Sequence, residues 1–344
     1  MIHVTAGAHR RLLTWSRTRG CGSPAPTCAL VDATGRDQHR NRRRTSRQTS
    51  ERLQRMPQNT SVTVIGLGPM GRAMVRAFLA AGTAVTVWNR SRGTVDEMVA
   101  LGATAADSVA AALAANEVAV LSLTDYPAMY DVLGQATAAL PGRTIVNLSS
   151  DSPEHTRRGA AWVRGHGAEF LSGGVMSAGD DIAHPASYIF YGGPAAVFER
   201  HRELLRPLSP PEYLGPDDGV AQLFYQALLV TFHPWLLAFD QALAVIARSG
   251  HDIDRFLPYA QRSAGAYPQF MADSVAAAKA GAGYDESMYR MMIAGARHIV
   301  DASEDAGVDA GLSHAALAWW QRGLDASKAA GRPVSVLELM LGSG

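Results

Sequence analysis

The sequence predicts an α/β domain of the doubly wound kind, then one long interdomain α-helix, then an all-α bundle. Three observations lead there. The stretch Val62–Arg92 reads as strand, glycine turn, helix and strand; strands and helices then alternate as far as Leu214; beyond Gly215 every periodic segment has helical spacing. With 344 residues and 47% of them hydrophobic, the chain can bury a large core and is long enough for about two domains.

The first unit is the most specific. A β-branched run, Val62–Ile65, ends in Gly66-Leu-Gly-Pro-Met-Gly71, a helix of Ala, Met, Val and Phe follows, and Ala84–Trp88 reads as a second strand. Gly66 suits the tight turn, Gly68 admits a pyrophosphate close to the backbone, and Gly71 lets helix pack on strand. The helix N-terminus, with Leu67, Pro69 and Met70 around it, offers unpaired N–H groups to phosphate. A glycine triplet framed by both strands marks a Rossmann dinucleotide-binding domain, predicted over residues 58–216. An NAD enzyme usually closes the second strand with Asp or Glu for the ribose 2′-hydroxyl. Here Asn89-Arg90-Ser91-Arg92 stands in that place and no carboxylate precedes Asp96, so a 2′-phosphate, and NADPH/NADP+, is expected.

Further strands are expected at Val118–Leu123, Thr144–Leu148, Glu169–Leu171, Tyr188–Tyr191 and Glu212–Leu214, with helices including Pro127–Leu140 and Pro153–Gly165. The alternation implies a parallel sheet with right-handed crossovers, and ligands that bind beyond the carboxyl ends of its strands. That marks Leu123, Thr124 and Asp125, then Asn147, Ser149 and Ser150, as cofactor contacts, and the loop from Ser172 to Pro185 as a third candidate.

From Asp217 to Ser249 the chain is helix former throughout, apolar on most faces. A helix of that length would span about 50 Å, more than one small domain can bury. An intertwined, domain-swapped homodimer is therefore expected to cover it. Pro234 should kink it. Residues 250–344 follow as amphipathic helices at Asp254–Ala264, Pro268–Ala280, Glu286–Ala306, Leu312–Ala330 and Val334–Leu341.

The front of the chain differs. Residues 1–55 hold twelve Arg against three acidic residues, a net of +9, which leaves the rest of the chain at −8. A segment so charged and poor in apolar residues cannot offset the entropy of ordering it, so residues 1–57 are expected to form a basic disordered extension with no catalytic role. A nucleic-acid-binding arm, a targeting peptide, or translated sequence upstream of a start at Met56 are the other readings of this composition. Cys21 and Cys28 both lie in it, so neither disulfide nor thiolate metal site supports the folded part. The apolar run Ala227–Phe239 is shorter than the ~20 residues that span a bilayer and is interrupted by His233 and Pro234, so the protein is expected to be soluble and cytoplasmic.

The sequence resembles the imine reductases, a branch of the 3-hydroxyacid dehydrogenase superfamily, from Thr63 to about Leu341. The resemblance rests on Gly66-Leu-Gly-Pro-Met-Gly71, Trp88-Asn-Arg-Ser91, Asn147-Leu-Ser-Ser-Asp-Ser-Pro153, Gly173-Gly-Val-Met176, Ile182-x-x-Pro185 and Gly219-x-x-x-Leu-x-Tyr-x-x-Leu-Leu229. Other branches carry a catalytic lysine on the long helix, within a motif similar to G-x-x-x-K-x-x-N-N. Between Gly219 and Leu229 there is neither Lys nor Asn, and the only lysines of the chain are Lys279 and Lys328. The resemblance thus implies NADPH-dependent reduction of C=N bonds, with Tyr225 facing the nicotinamide and His233 at a position often aromatic.

A phenol of reference pKa about 10 exchanges protons with an amine near balance, which suits Tyr225 as proton donor or anchor; a packed core aromatic is the plainer reading. His233 is the second catalytic candidate. Eight residues give ~12 Å of rise and ~80° of rotation, so the two side chains are expected to border one pocket. Met176, Ser177, Trp235 and Tyr267 are the expected substrate walls. Asp180, Asp181 and His184 are read as a solvated loop and no metal is expected, since hydride transfer to an iminium needs no Lewis acid. Ser172-Gly-Gly174 is similar to a substrate-binding motif of the hydroxyacid enzymes but lies about four residues too early. A carbonyl or 3-hydroxyacid oxidoreductase of the same fold, and an NADP(H)-binding sensor without chemistry, are the alternatives.

Overall fold

The structure, a computed structural model, describes residues 60–177 and 182–342. The basic extension and Asp180–Asp181 lie outside the described residues. At the centre is an eight-stranded sheet: β1 (Ser61–Ile65), β2 (Ala84–Trp88), β3 (Thr104–Ala105), β4 (Val118–Leu121), β5 (Thr144–Asn147), β6 (Glu169–Met176), β7 (Tyr188–Gly192) and β8 (Pro211–Gly215), in the order β3-β2-β1-β4-β5-β6-β7-β8. Neighbours run parallel from β3 to β6. The expected parallel pattern ends there, because β7 pairs antiparallel with β6. Parallel strands need a crossover element between them, and the described residues from Met176 to Tyr188 contain none; β8, which follows a helix, is again parallel to β7.

The Rossmann helices are α1 (Pro69–Ala80), α2 (Arg92–Ala100), α3 (Val109–Ala115), α4 (Tyr126–Leu133), α5 (Pro153–Gly165) and α6 (Ala195–Leu205). The helix expected over Pro127–Leu140 breaks after Leu133 into a 3₁₀ segment, Gly134–Ala139, in which Ala136 leaves helical geometry. Both faces of the sheet are buried. Val62, Val64, Met74 and Phe78 belong to one core cluster and Ile65, Leu121, Ile145 and Phe170 to the other, which is why the strands read as continuous apolar runs.

At the amino ends of the strands, away from the carboxyl edge, His201 is buried at 6% exposure with Nε2 3.1 Å from Thr144 Oγ1 and 3.8 Å from Glu117. Burial holds its pKa below the ordinary imidazole value, although Glu117 pulls the other way. The unfolded chain then binds more protons than the fold below about pH 6.5, so stability contributed by neutral His201 is lost as pH falls through that value. Melting temperatures between pH 7.5 and 5.5 should decline less steeply for His201→Gln than for the wild type; parallel slopes would exclude the histidine as the cause.

The long helix α7 spans Val220–Arg248, 29 residues or about 43 Å, and runs unbroken through Pro234. It starts three residues later than expected because Asp217 and Asp218 are recruited by α5. Arg157 grips Asp217 through two contacts of 2.8 Å, and Arg164 grips Asp218 through contacts of 2.7 and 2.6 Å. These forks, together with the Asp217 Oδ1 contact to the Gly219 N–H, fix where α7 leaves the sheet. By length and composition α7 could cross a membrane, yet its first turns pack on β6, β7 and α5. Farther along, Val230, Phe232, Trp235 and Leu237 are exposed. The helices α8 (Ile253–Ala264), α9 (Tyr267–Lys279), α10 (Glu286–Asp305), α11 (Gly311–Ala330) and α12 (Val336–Met340) follow. Tyr289, Ile293 and Leu324 form the small core between α10 and α11.

Candidate active site

The carboxyl ends of β1, β2 and β4 open on a cleft of about 680 Å³. Ten of the expected cofactor contacts line it: Gly66, Leu67, Gly68, Pro69, Met70, Asn89, Arg90, Ser91, Leu123 and Thr124. Gly66 has φ +95°, and a Cβ there would strike the Ser122 carbonyl. Gly68 has open space where its Cβ would be, and it begins α1 with no side-chain cap, so the first N–H groups of that helix face the cleft unblocked. At the far end Arg90 is exposed and forms no ion pair among the described residues. The Ser91 side chain does not cap α2. A pyrophosphate fits the open N-terminus of α1, and a 2′-phosphate fits the Arg90–Ser91 end.

Six expected contacts do not line this cleft, and each is occupied otherwise. Gly71 packs under the Gly66 carbonyl, where a Cβ would clash. Arg92 pairs with Asp96 and Asp107 at the surface, and Asp125 caps α4 by accepting from the Ala128 N–H at 2.9 Å. Asn147 is fully buried, donating to Met129 Sδ and accepting from the Ser149 N–H. Ser149 Oγ accepts from the Leu123 N–H at 3.0 Å, while Ser150 Oγ accepts from Gln226. Gly71, Asp125 and Ser149 thereby hold residues that line the cleft, namely Gly66, Ala128 and Leu123. Asn89 does both: it lines the cleft while its Oδ1 accepts from the Leu67 N–H and its Nδ2 donates to Thr94, so it braces the glycine turn against the end of β2. Trp88, Ser122, Ala128 and Val132 also line the cleft and were not expected. Ala128 and Val132 lie one turn apart on α4, a spacing that in sequence reads as ordinary core.

A second cavity, about 600 Å³ and almost wholly apolar, lies beside α7. Val175, Met176 and Ser177 at the end of β6 form one wall, Tyr225, Leu228, Leu229, Phe232 and Trp235 of α7 another, and Tyr267 and Met271 of α9 a third. Tyr225 and all four expected substrate-wall residues therefore meet here. The close approach depends on Gly174, since a Cβ there would come within 2.8 Å of the Tyr225 Cβ and 3.0 Å of the Ala221 carbonyl. His233 corrects the expectation: it does not line the cavity and is exposed beside Phe232. Residues 225, 228, 229 and 232 form one helical stripe, and the 80° between positions 225 and 233 carries the imidazole off it. Ser172 is buried, its hydroxyl directed at the Asp218 carbonyl, and His184 accepts from the Ala186 N–H within its own turn.

The residues that join cleft to cavity were missed in the sequence. Gln222 Nε2 donates to the carbonyls of Ser149 (3.1 Å) and Gly173 (2.7 Å), and its Oε1 accepts from the Asp151 N–H (3.3 Å). One turn on, Gln226 Nε2 donates to Ser150 Oγ and to the Asp151 carbonyl, both at 3.1 Å. Burial works against ionisation of Asp151, but bonds from the Ser152 N–H, His155 and the Tyr126 N–H hold its carboxyl below the usual range.

A nucleotide cleft of this form, with an apolar cavity between the sheet and a helical C-terminal region, defines a dinucleotide-dependent oxidoreductase of the Rossmann class. Residues 61–215 match the NAD binding domain of 6-phosphogluconate dehydrogenase, and residues 217–342 match the NADPH-dependent reductive aminase-like C-terminal domain. The chain belongs to the imine reductase family. A Streptomyces aurantiacus imine reductase is 40% identical, with a TM-score of 0.77 over 82% of this chain and 99% of that one. A reductive aminase from Aspergillus terreus, solved with NADPH4, cyclohexanone and allyl amine, is 28% identical, with a TM-score of 0.74 over 82% of this chain and 100% of that one. Among curated proteins, the NADPH-dependent reductive aminase of Aspergillus oryzae is 33% identical over 192 residues, 56% of this chain; the match spans 65% of that protein's length.

Proposed function

We propose that the protein reduces C=N bonds of imines and iminium ions, cyclic ones in particular, to amines, using NADPH. The observation that carries this reading is the apolar cavity lined by Tyr225 and linked to the nucleotide cleft through Gln222, Ser149 and Leu123, with the chain's two lysines, Lys279 and Lys328, lining neither space. NADPH, when bound, supplies the hydride that adds to the C=N carbon. Gly66–Met70 would hold the pyrophosphate on the N-terminus of α1, and Arg90 with Ser91 the 2′-phosphate. Val175, Leu228, Leu229 and Phe232 exclude water and orient an apolar substrate. Where the imine is neutral, the Tyr225 phenol donates its proton to nitrogen as the new C–H bond forms, and the phenolate recovers a proton from water. His233 takes no part in this step within one chain.

A crystal structure with NADP+ and a cyclic amine tests the arrangement: Tyr225 Oη is expected within hydrogen-bond reach of the amine nitrogen. A nitrogen held by another group would reassign the role.

We further propose a homodimer of a soluble, cytoplasmic enzyme. An apolar groove of about 740 Å³ lies between α7, α10 and α11, lined by residues such as Val245, Met292, Ile299 and Trp320. Val230 and Leu237 on α7 are 71% and 61% exposed, and a second copy covering both features would remove them from water. Sedimentation equilibrium should return twice the chain mass for the wild type and a lower average for Leu237→Asp. A monomeric wild type would sink the proposal.

A further inference from the structure

Gln222 is 1% exposed and carries an amide where its neighbour Ala221, equally buried, carries a methyl group. Burying an amide is unfavourable unless its groups are bonded, and at Gln222 they are. Its three bonds end on the segment after β5 and on β6, at Ser149, Asp151 and Gly173. Each end leads to one of the two spaces. Ser149 holds the N–H of Leu123, which lines the nucleotide cleft. Gly173 precedes Gly174, which lies against the Tyr225 Cβ, and Val175–Ser177, which line the cavity. Tyr225 itself is three residues along the same helix. Gln226 adds two bonds to the β5 segment from the next turn.

Resting on the imine-reduction reading, we infer that Gln222, supported by Gln226, is a positioning residue that sets the separation of the nucleotide cleft and Tyr225. The two spaces are built from parts of the chain about 100 residues apart in sequence, and beyond the β4–β5–β6 ladder the Gln222 amide bonds α7 to the segments that border both. Hydride transfer needs its reacting atoms ~3–3.5 Å apart, and a misplacement of 1 Å can cost about 100-fold in rate. An apolar residue of the same length would fill the space and leave the placement of α7 against those segments to packing and Gln226.

Gln222→Met, which keeps the length and removes the three bonds, is the test. In the cofactor-free protein, hydrogen exchange followed by mass spectrometry should show segments 147–152 and 172–177 exchanging about tenfold faster. With NADPH and a cyclic imine, kcat should fall about 30-fold while KM for NADPH moves less than about threefold, and the isotope effect from 4-deuterated NADPH should rise as hydride transfer becomes limiting. Gln226→Met, at a less buried position, should show the same pattern at about fivefold in kcat, which keeps the test open if Gln222→Met does not fold. Unchanged exchange in a folded variant overturns the inference, as does a fall in kcat/KM carried by KM for NADPH alone. A wild type that turns over no imine refutes the functional reading instead, and the exchange result still decides whether the amide ties the two segments.

Discussion

Replacing Tyr225 with phenylalanine is expected to lower kcat for a small neutral cyclic imine by about 100-fold, the lower end of what a positioned general acid contributes. The ring is retained, so the cavity wall shared with Met176, Trp235 and Tyr267 and the packing against Gly174 survive; only the O–H is lost. The substitution should therefore leave KM for NADPH and the melting temperature nearly unchanged. A permanently cationic N,N-dialkyl iminium needs no proton from the enzyme, and its reduction should fall less than about threefold. Equal losses on both substrates would make Tyr225 an orienting wall, and no loss on either would remove it from the mechanism.

Arg90→Ala is expected to reduce kcat/KM for NADPH by about 30-fold and to leave that for NADH nearly unchanged. A charge-assisted hydrogen bond to a phosphate contributes ~1.5–3 kcal/mol, and each 1.4 kcal/mol is about tenfold. Arg90 is an exposed cation lining the cleft, and Ser91 beside it, at the N-terminus of α2, is expected to supply the remaining contacts to a 2′-phosphate. Arg92, tied to Asp96 and Asp107, should contribute less than about threefold when replaced by alanine. Rates with NADPH and NADH for each variant decide this; a preference that survives Arg90→Ala would place 2′-phosphate recognition elsewhere.

The nucleotide unit was legible in the sequence because each of its parts has a local cause: β-branched strands, glycines required by the turn, and a second strand at fixed spacing. The strand β3 was not, since two residues, Thr104 and Ala105, carry no pattern. The end of β6 was read as loop; there Gly173 admits the Leu148 side chain from beside β5 and Gly174 admits Tyr225 and Ala221 of α7, the latter a contact of long sequence separation. The same limitation explains His233 and Gln222. Helical spacing places both on α7, but which side faces the sheet depends on the stripe that Gly174 accepts. Tyr225 was reached because a motif resemblance pointed to its place on α7, and the apolar cavity gathers it with Met176, Ser177, Trp235 and Tyr267. Asn147, Ser149 and Asp125 were reached from the strand-end turns, and in the structure their side chains bond the backbone of those turns.

Incubating the full-length protein with NADPH and a small cyclic imine, following cofactor oxidation and identifying the product, decides whether the protein reduces C=N bonds. Substrate-dependent oxidation with one amine formed per NADPH consumed is expected, and no reduction of NADP+ when 3-hydroxy acids are supplied instead. Turnover of the hydroxy acids with none of imines or amines would contradict C=N reduction in favour of a carbonyl or hydroxyacid enzyme, and tight NADPH binding without turnover of any imine, ketone or acid would contradict it in favour of a sensor.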